Sequence, residues 1–290
     1  MLRVVIRAST LSMAALVATT SWARDAGAIC GRAADASMMP PPIAVRAPIN
    51  AQITLSLPSS WRTQTLCADE PSKCVAGSFE LALRAAPGDR ATGVAPAAID
   101  AAVTESMLGA IATVVMKPRA PLAPRTRYEV VRSDKSGKVP LLVFGTFTTG
   151  DTTDDKAPAW SGIASHRVGS TGPTKNKGVV TIAVECAANA LDVVGAVATD
   201  ESAPASALRY AVWIVDEGRA IDYASTPLAI LEGRVEPKRG GGAEVAVTVP
   251  LDRDGRLALP NGKKTAKVGM RAIDLAGNAS ASSEITVKLP

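Results

Sequence analysis

The stretch Ala51-Gln52-Ile53-Thr54-Leu55-Ser56-Leu57 alternates side chains of opposite character without a break. In an extended chain Ala51, Ile53, Leu55 and Leu57 share one face and Gln52, Thr54 and Ser56 the other, which is the pattern of a strand with one buried face. Phe79, Leu81 and Leu83 against Glu80, Ala82 and Arg84 repeat the period of two. Further strands are expected over 110–116, 127–132 and 141–148. Pro58, Pro71, Pro118, Pro121 and Pro124 fall between these segments, where a missing N–H interrupts no ladder. The stretch 96–108 reads either as a short helix with Pro96 in its first turn or as a loop carrying one strand.

From Gly150 to Pro158 the chain carries Asp151, Asp154 and Asp155 and no apolar side chain larger than proline. Such a segment reads as a linker between two domains. Beyond it Val180, Ile182, Val184 and Cys186 alternate with Thr181, Ala183 and Glu185. Strands are expected again over 209–215, 245–249, 267–273 and 284–289. Gly240-Gly241-Gly242 reads as a flexible loop, and Asn261-Gly262 suits a tight turn because both residues tolerate positive φ. Repeated short strands without long amphipathic helices imply an all-β chain of two tandem antiparallel β-sandwiches. The two blocks are not close copies, and no repeat period points to a solenoid or propeller.

Residues 1–23 have the order of a secretory signal peptide: Arg3 and Arg7, an apolar run from Ala8 to Thr20, then Ser21-Trp22-Ala23 with small residues at the cleavage positions. An alternative cut follows Ala28. Ile29 directly before Cys30 does not suit lipid attachment, which wants a small residue there. No later stretch reaches the ~18 apolar residues of a membrane-spanning helix. The expectation is an exported protein, periplasmic, on the cell surface or secreted. Loss of Arg3 and Arg7 lowers the formal charge from +5 to +3. Apart from the short Lys263-Lys264 and Lys238-Arg239 pairs the remaining basic residues are dispersed, so neither the patch nor the aromatic platform of a nucleic-acid binder is visible.

Catalytic signatures are equally scarce. His166 is the single histidine and has no activated serine turn to serve, so it reads as an exposed loop residue. There is no phosphate-binding loop or dinucleotide fingerprint. Asp252-Arg253-Asp254-Gly255 opens like a calcium loop, but position 12 is Lys263 where a glutamate is needed, so an ordinary polar turn accounts for it. Asp151, Asp154 and Asp155, with Asp200 or Asp274, can gather oxygen ligands between the domains; a solvated acidic linker accounts for the same residues. No cofactor, catalytic residue or metal ligand is assigned.

Leu122, Pro124, Thr126 and Tyr128, followed by Phe147-Thr148-Thr149, resemble the closing motifs of bacterial immunoglobulin-like domains of the SbsA type. The resemblance covers 42–150, and the Ala-rich stretch 85–108 departs from it. Asp200 to Pro204 leading into Leu208 to Trp213, with Ala272 to Asn278, is similar to immunoglobulin-like or fibronectin-type-III-like modules over 158–290. The character is that of exported proteins of myxobacteria and their relatives. The resemblance implies a 24–41 N-terminal arm, domains at 42–150 and 158–290, and a 151–157 linker. It implies a structural, adhesive or scaffolding role at the cell envelope, with an unknown protein or glycan as partner. A carbohydrate- or protein-binding module is the alternative, and an enzyme with a spatially assembled carboxylate pair a third. Tyr128 fits a tyrosine corner, Phe147 closes the first domain, and Trp213 is expected to anchor the second core. Trp61 and Trp160, near loop and linker, are candidates for exposed aromatics or for packing between domains.

The four cysteines, Cys30, Cys67, Cys74 and Cys186, imply disulfides in an exported chain. Cys67 with Cys74 closes a short loop, which leaves Cys30 with Cys186 by parity; Cys186 as a free buried thiol on a strand is the competing reading. Zinc is disfavoured by the spacings and the single histidine. A Cys67–Cys74 bond would contribute at most about 2.5 kcal/mol through loop entropy. Peptide mapping under non-reducing, alkylating conditions should find these two thiols joined, and recovery of both as alkylated free thiols would refute the bond.

Overall fold

The structure, a computed structural model, describes residues 37–40, 46–58, 61, 65–66, 75–76, 79–87, 98–109, 111–134, 142–169, 190–238, 240–250 and 265–288. The signal segment, all four cysteines, the 180–186 alternation, Asp252 to Gly255 and Asn261-Gly262 lie outside them. The chain is all-β and forms two bodies, as the alternation predicts.

The first body contains β1 (Ser37–Met39), β2 (Arg46–Ala47), β3 (Ile53–Pro58), β4 (Thr65–Leu66), β5 (Val75–Ala76), β6 (Phe79–Ala85), β7 (Ala101–Leu108), β8 (Ile111–Pro118), β9 (Arg127–Asp134) and β10 (Leu142–Thr149). They form one sheet in the order β1-β3-β8-β7, a second in the order β2-β10-β9-β6, and a small β4-β5 pair. Pairing is antiparallel except between β2 and β10, which run parallel. The core between the sheets holds Ile53, Leu55 and Leu57 from β3, Ala112, Val114 and Met116 from β8, and Val130 and Phe147. The inward set of β3 is the set that the alternation predicts. Of the 96–108 stretch, residues 101–108 are strand: β7 pairs along its length with β8, and no helix occurs there, while 96–97 lie outside the described residues.

The second body contains β11 (Ile163–Gly169), β12 (Ala190–Ala196), β13 (Arg209–Asp216), β14 (Ala229–Pro237), β15 (Ala243–Pro250), β16 (Thr265–Ile273) and β17 (Ser283–Lys288). They follow one another in the order β11-β12-β15-β14-β13-β16-β17. The seven strands curl around a single core because β14 changes partner midway. Ala229 to Glu232 pair with β13, whereas Gly233 to Pro237 pair with β15. Gly233 sits where the strand turns the corner. A Cβ there would overlap Val245 Cγ2 and Tyr210 Cε2, so the turn requires a residue without a side chain. The Gly240-Gly241-Gly242 loop that leads into β15 takes positive φ at all three residues, 102°, 104° and 85°.

The outer face of the first body's β1-β3-β8-β7 sheet is not left to solvent. Thr54 and Thr113 are 4% and 1% exposed, and Met39, Leu108 and Ile111 pack into the second body's core cluster. On β14, the Ile230 N–H donates to Thr113 Oγ1 (3.2 Å), and its carbonyl accepts from Ser56 Oγ (3.2 Å). The polar face of the opening alternation is therefore the surface on which the second body docks.

Gly233→Ala should lower stability by about 1–3 kcal/mol through overpacking at the corner. Equilibrium denaturation checks this, and an unchanged midpoint would show that β14 does not need its glycine.

Candidate functional site

The junction between the bodies carries two polar assemblies. The first is built on the acidic segment. Asn50 and Asp154 bond reciprocally: the Asp154 N–H donates to Asn50 Oδ1, and Asn50 Nδ2 donates to the Asp154 carbonyl, both at 2.9 Å. From the second body, Asn278 Nδ2 donates to the same carbonyl (2.9 Å) and towards the Lys156 carbonyl (3.3 Å). One peptide segment is thus held by an asparagine from each side.

Asp154 is buried, and its carboxylate accepts from the Lys156 N–H (3.2 Å) and lies against Ser202 Oγ. Asp200 accepts from the N–H groups of Ser202 (2.8 Å) and Ala203 (3.0 Å) and also faces Ser202 Oγ (2.7 Å). The single hydroxyl proton of Ser202 can serve either acid. Asp274 is fully buried. It accepts from the N–H groups of Ala276 (2.8 Å) and Asn278 (2.9 Å) and from Asn278 Nδ2 (2.8 Å), which closes the Asp274-to-Asn278 turn. Burial raises the Asp274 pKa above its ordinary value, the bonds from Asn278 oppose this, and the nearby Asp154 charge adds to the rise.

One carboxylate oxygen from each of Asp154, Asp200 and Asp274 lies within 4.8 Å of the others. The linker acids therefore do meet Asp200 and Asp274, through Asp154 alone. Asp151 instead pairs with Arg125 (2.7 Å), and Asp155 stays at the surface. These are hard oxygens of the type calcium takes, but protein hydrogen bonds already reach all three acids. A cleft of about 400 Å³ beside them is lined by Asp154, Lys156, Thr199, Asp200 and Glu201. Asp274, the acid with the raised pKa, does not line that cleft.

The second assembly is a groove of about 270 Å³ between β7 and β8 of the first body and β13, β16 and the 223–227 loop of the second. Tyr223 lies across Gly269, where any Cβ would collide with its hydroxyl, and meets Trp213 edge-on at 5.0 Å and 71°. The Arg271 guanidinium sits 4.7 Å from the centre of the Tyr223 ring. Its Nε is buried without a hydrogen-bond partner among the described residues. The Tyr223 hydroxyl donates to Glu284 Oε1 (3.1 Å), and burial together with Glu284 raises its pKa to about 12.

Trp213 does not anchor the second core. Its neighbours Val212 and Ile214 point into that core, so strand parity sends Trp213 to the opposite face, where it packs with Tyr223 and with Val115 of the first body. Trp61 is buried in the first core and donates from Nε1 to Glu105 (3.2 Å). Trp160 packs edge-on to Tyr210 at 5.6 Å and donates to the Ala196 carbonyl (2.9 Å). Neither tryptophan is an exposed aromatic. The Tyr128 hydroxyl accepts from the Ala123 N–H (2.8 Å), and the ring stacks on Phe147 at 5.6 Å. His166 lies within β11, opposite Val193, rather than in a loop. Tyr223 and Arg271 carry no sequence signal of their own. Arg271 faces Tyr223 only because strand and loop fold together.

No protein-family model matches the chain, and no curated protein does. Among solved structures, a marsupial T cell receptor is similar at 10% identity over 87% of this chain and 94% of its own, with a TM-score of 0.19. A chicken TCR is similar at 9% identity over 88% of this chain and 99% of its own, with a TM-score of 0.25. At these identities and TM-scores the likeness carries no argument about superfamily, activity or ligand. Among the described residues, no helix is long and apolar enough to cross a membrane.

The folded chain holds the Tyr223 proton to about 12 against an ordinary value of 10.0. This group therefore favours folding below the ordinary value, and the contribution disappears as pH rises through the folded one. Ultraviolet difference titration against Tyr223→Phe should place its midpoint near 12, and Glu284→Gln should lower it. A midpoint at the ordinary value in the unsubstituted protein would contradict the buried geometry.

Proposed function

We propose that this chain is an exported, non-catalytic protein of the cell envelope with a structural, adhesive or scaffolding role. In this reading 42–150 is an SbsA-type immunoglobulin-like domain, 151–157 the connection, and 158–290 an immunoglobulin-like or fibronectin-type-III-like domain. The observation that carries it is the junction. Asn50, Asp154 and Asn278 tie both bodies to one segment, and the Ile230 peptide groups on β14 are bonded by hydroxyls of the first body. Two sandwiches joined in this way make a stiff unit that transmits position or load, which a pair on a free linker would not do.

A binding module is the second reading, favoured by the groove beside Arg271 and Tyr223. The enzyme reading has less support, because the Asp274 carboxyl is engaged by the N–H groups of its own turn and does not line the cleft beside Asp154 and Asp200.

Small-angle scattering of the chain should give one particle of fixed shape. Asn50→Ala with Asn278→Ala should broaden the distance distribution while each body stays folded. An unsubstituted chain that already scatters as two independently moving bodies would refute the stiff unit. Fractionation of native cells tests the compartment, and recovery with cytoplasmic proteins would remove the envelope role.

A further inference from the structure

We propose that the groove between the bodies binds a sugar unit carrying a carboxylate, an inference that rests on reading this groove as a binding site. The Arg271 guanidinium lies over an aromatic ring, and among the described residues no carboxylate is within ion-pair distance of it. Its Nε is buried and unbonded, and among the described residues it forms no ion pair. A half-buried cation without a counter-charge is unfavourable. A planar guanidinium is matched by a carboxylate, which it can bind through two parallel hydrogen bonds. The other cation on this face, Lys267, is already paired with Glu284 (3.6 Å).

The remaining walls select what carries the acid. Gln52, Thr104, Ser106 and Thr226 line the groove, and their side chains have no hydrogen-bond partner among the described residues. Amides and hydroxyls both donate and accept, as the hydroxyls of a sugar ring do. Tyr223, whose ring lies under the Arg271 guanidinium, also lines the groove. Gln52 lies against Gly277, where a Cβ would come within 2.6 Å of its Oε1, and both line the groove. At about 270 Å³ the space suits one ring rather than a length of extended peptide.

The test uses isotopically labelled full chain titrated with di- and trigalacturonate, with the matching neutral galactose oligomers, and with a Glu-rich peptide. Acidic oligomers should shift amide resonances of Thr104, Ser106, Tyr223 and Arg271. Their affinity should exceed that of the neutral oligomers at least tenfold and should weaken with salt. Arg271→Gln should erase that preference, with its melting curve confirming that the chain is folded. Should that variant misfold, Thr104→Val with Thr226→Val should weaken binding of both oligomer types, because it removes hydroxyl partners and leaves the charge. Equal affinity for neutral and acidic oligomers, or tighter binding of the peptide in the same groove, overturns the acidic-sugar assignment and leaves the binding-module reading standing. Groove resonances that shift with none of the three probes overturn both.

Discussion

A strand edge carries N–H and C=O groups that must find partners when it is buried. The first half of β14 pairs with β13 on one side. On its other side the Ile230 N–H and C=O are met by Thr113 and Ser56 of the first body. Those two hydroxyls stand opposite one another on β8 and β3. The fit therefore depends on the register of one sheet matching a single peptide unit of another strand. A one-residue slip of β3 against β8 would send Ser56 to the core side and leave the Ile230 carbonyl buried without a donor. Register in the first body and docking of the second are in this way one constraint.

The packing follows from it. With β14 held on that face, Met39, Leu108 and Ile111 join the second body's core, and Val115 meets Trp213, Ile230 and Ile273 in a small cluster of its own. The segment 151–157 then has little freedom. Asp154 is drawn between Asn50 and Asn278, and its carboxylate falls beside Asp200 and Asp274. Gathering like charges is unfavourable in isolation; burial chiefly raises the Asp274 pKa, and the Asp154 charge adds to the rise. Hydrogen bonds from Ala276, Asn278, Ser202, Ala203 and Lys156 offset it. The acidic segment is a joint through Asp154, whose bonds cross the junction, while Asp151 and Asp155 stay exposed.

Most long strands of the first body were legible in the sequence, because a strand with one core face repeats every two residues. The inward set of β3 shows this directly. The 96–108 stretch was ambiguous because β7 has little inward apolar pattern: Val103 and Met107 remain 50% and 47% exposed. Strand β14 went unseen for a related reason. Its apolar residues Ala229, Ile230 and Leu231 run consecutively, since neighbours on opposite faces are buried against different bodies. Trp213 was assigned to the wrong face by the same two-sided burial. An apolar run on a doubly covered strand does not say which side holds the core.

Local chemistry alone determined the strand periodicity, the proline and glycine punctuation and the Tyr128 corner, since each depends on residues close together in the chain. The use of the outward face did not follow from it. Thr54, Ser56 and Thr113 have the composition of a solvated surface, and nothing in their order distinguishes water from a second protein body as the partner of their hydroxyls. The same holds for Asp154, Asp200 and Asp274 and for Arg271 beside Tyr223. These groups are distant in sequence, and only the folding of strands and loops brings them together. A hydroxyl or carboxylate takes its role from what lies within about 3 Å of it, and that distance is set by the tertiary structure.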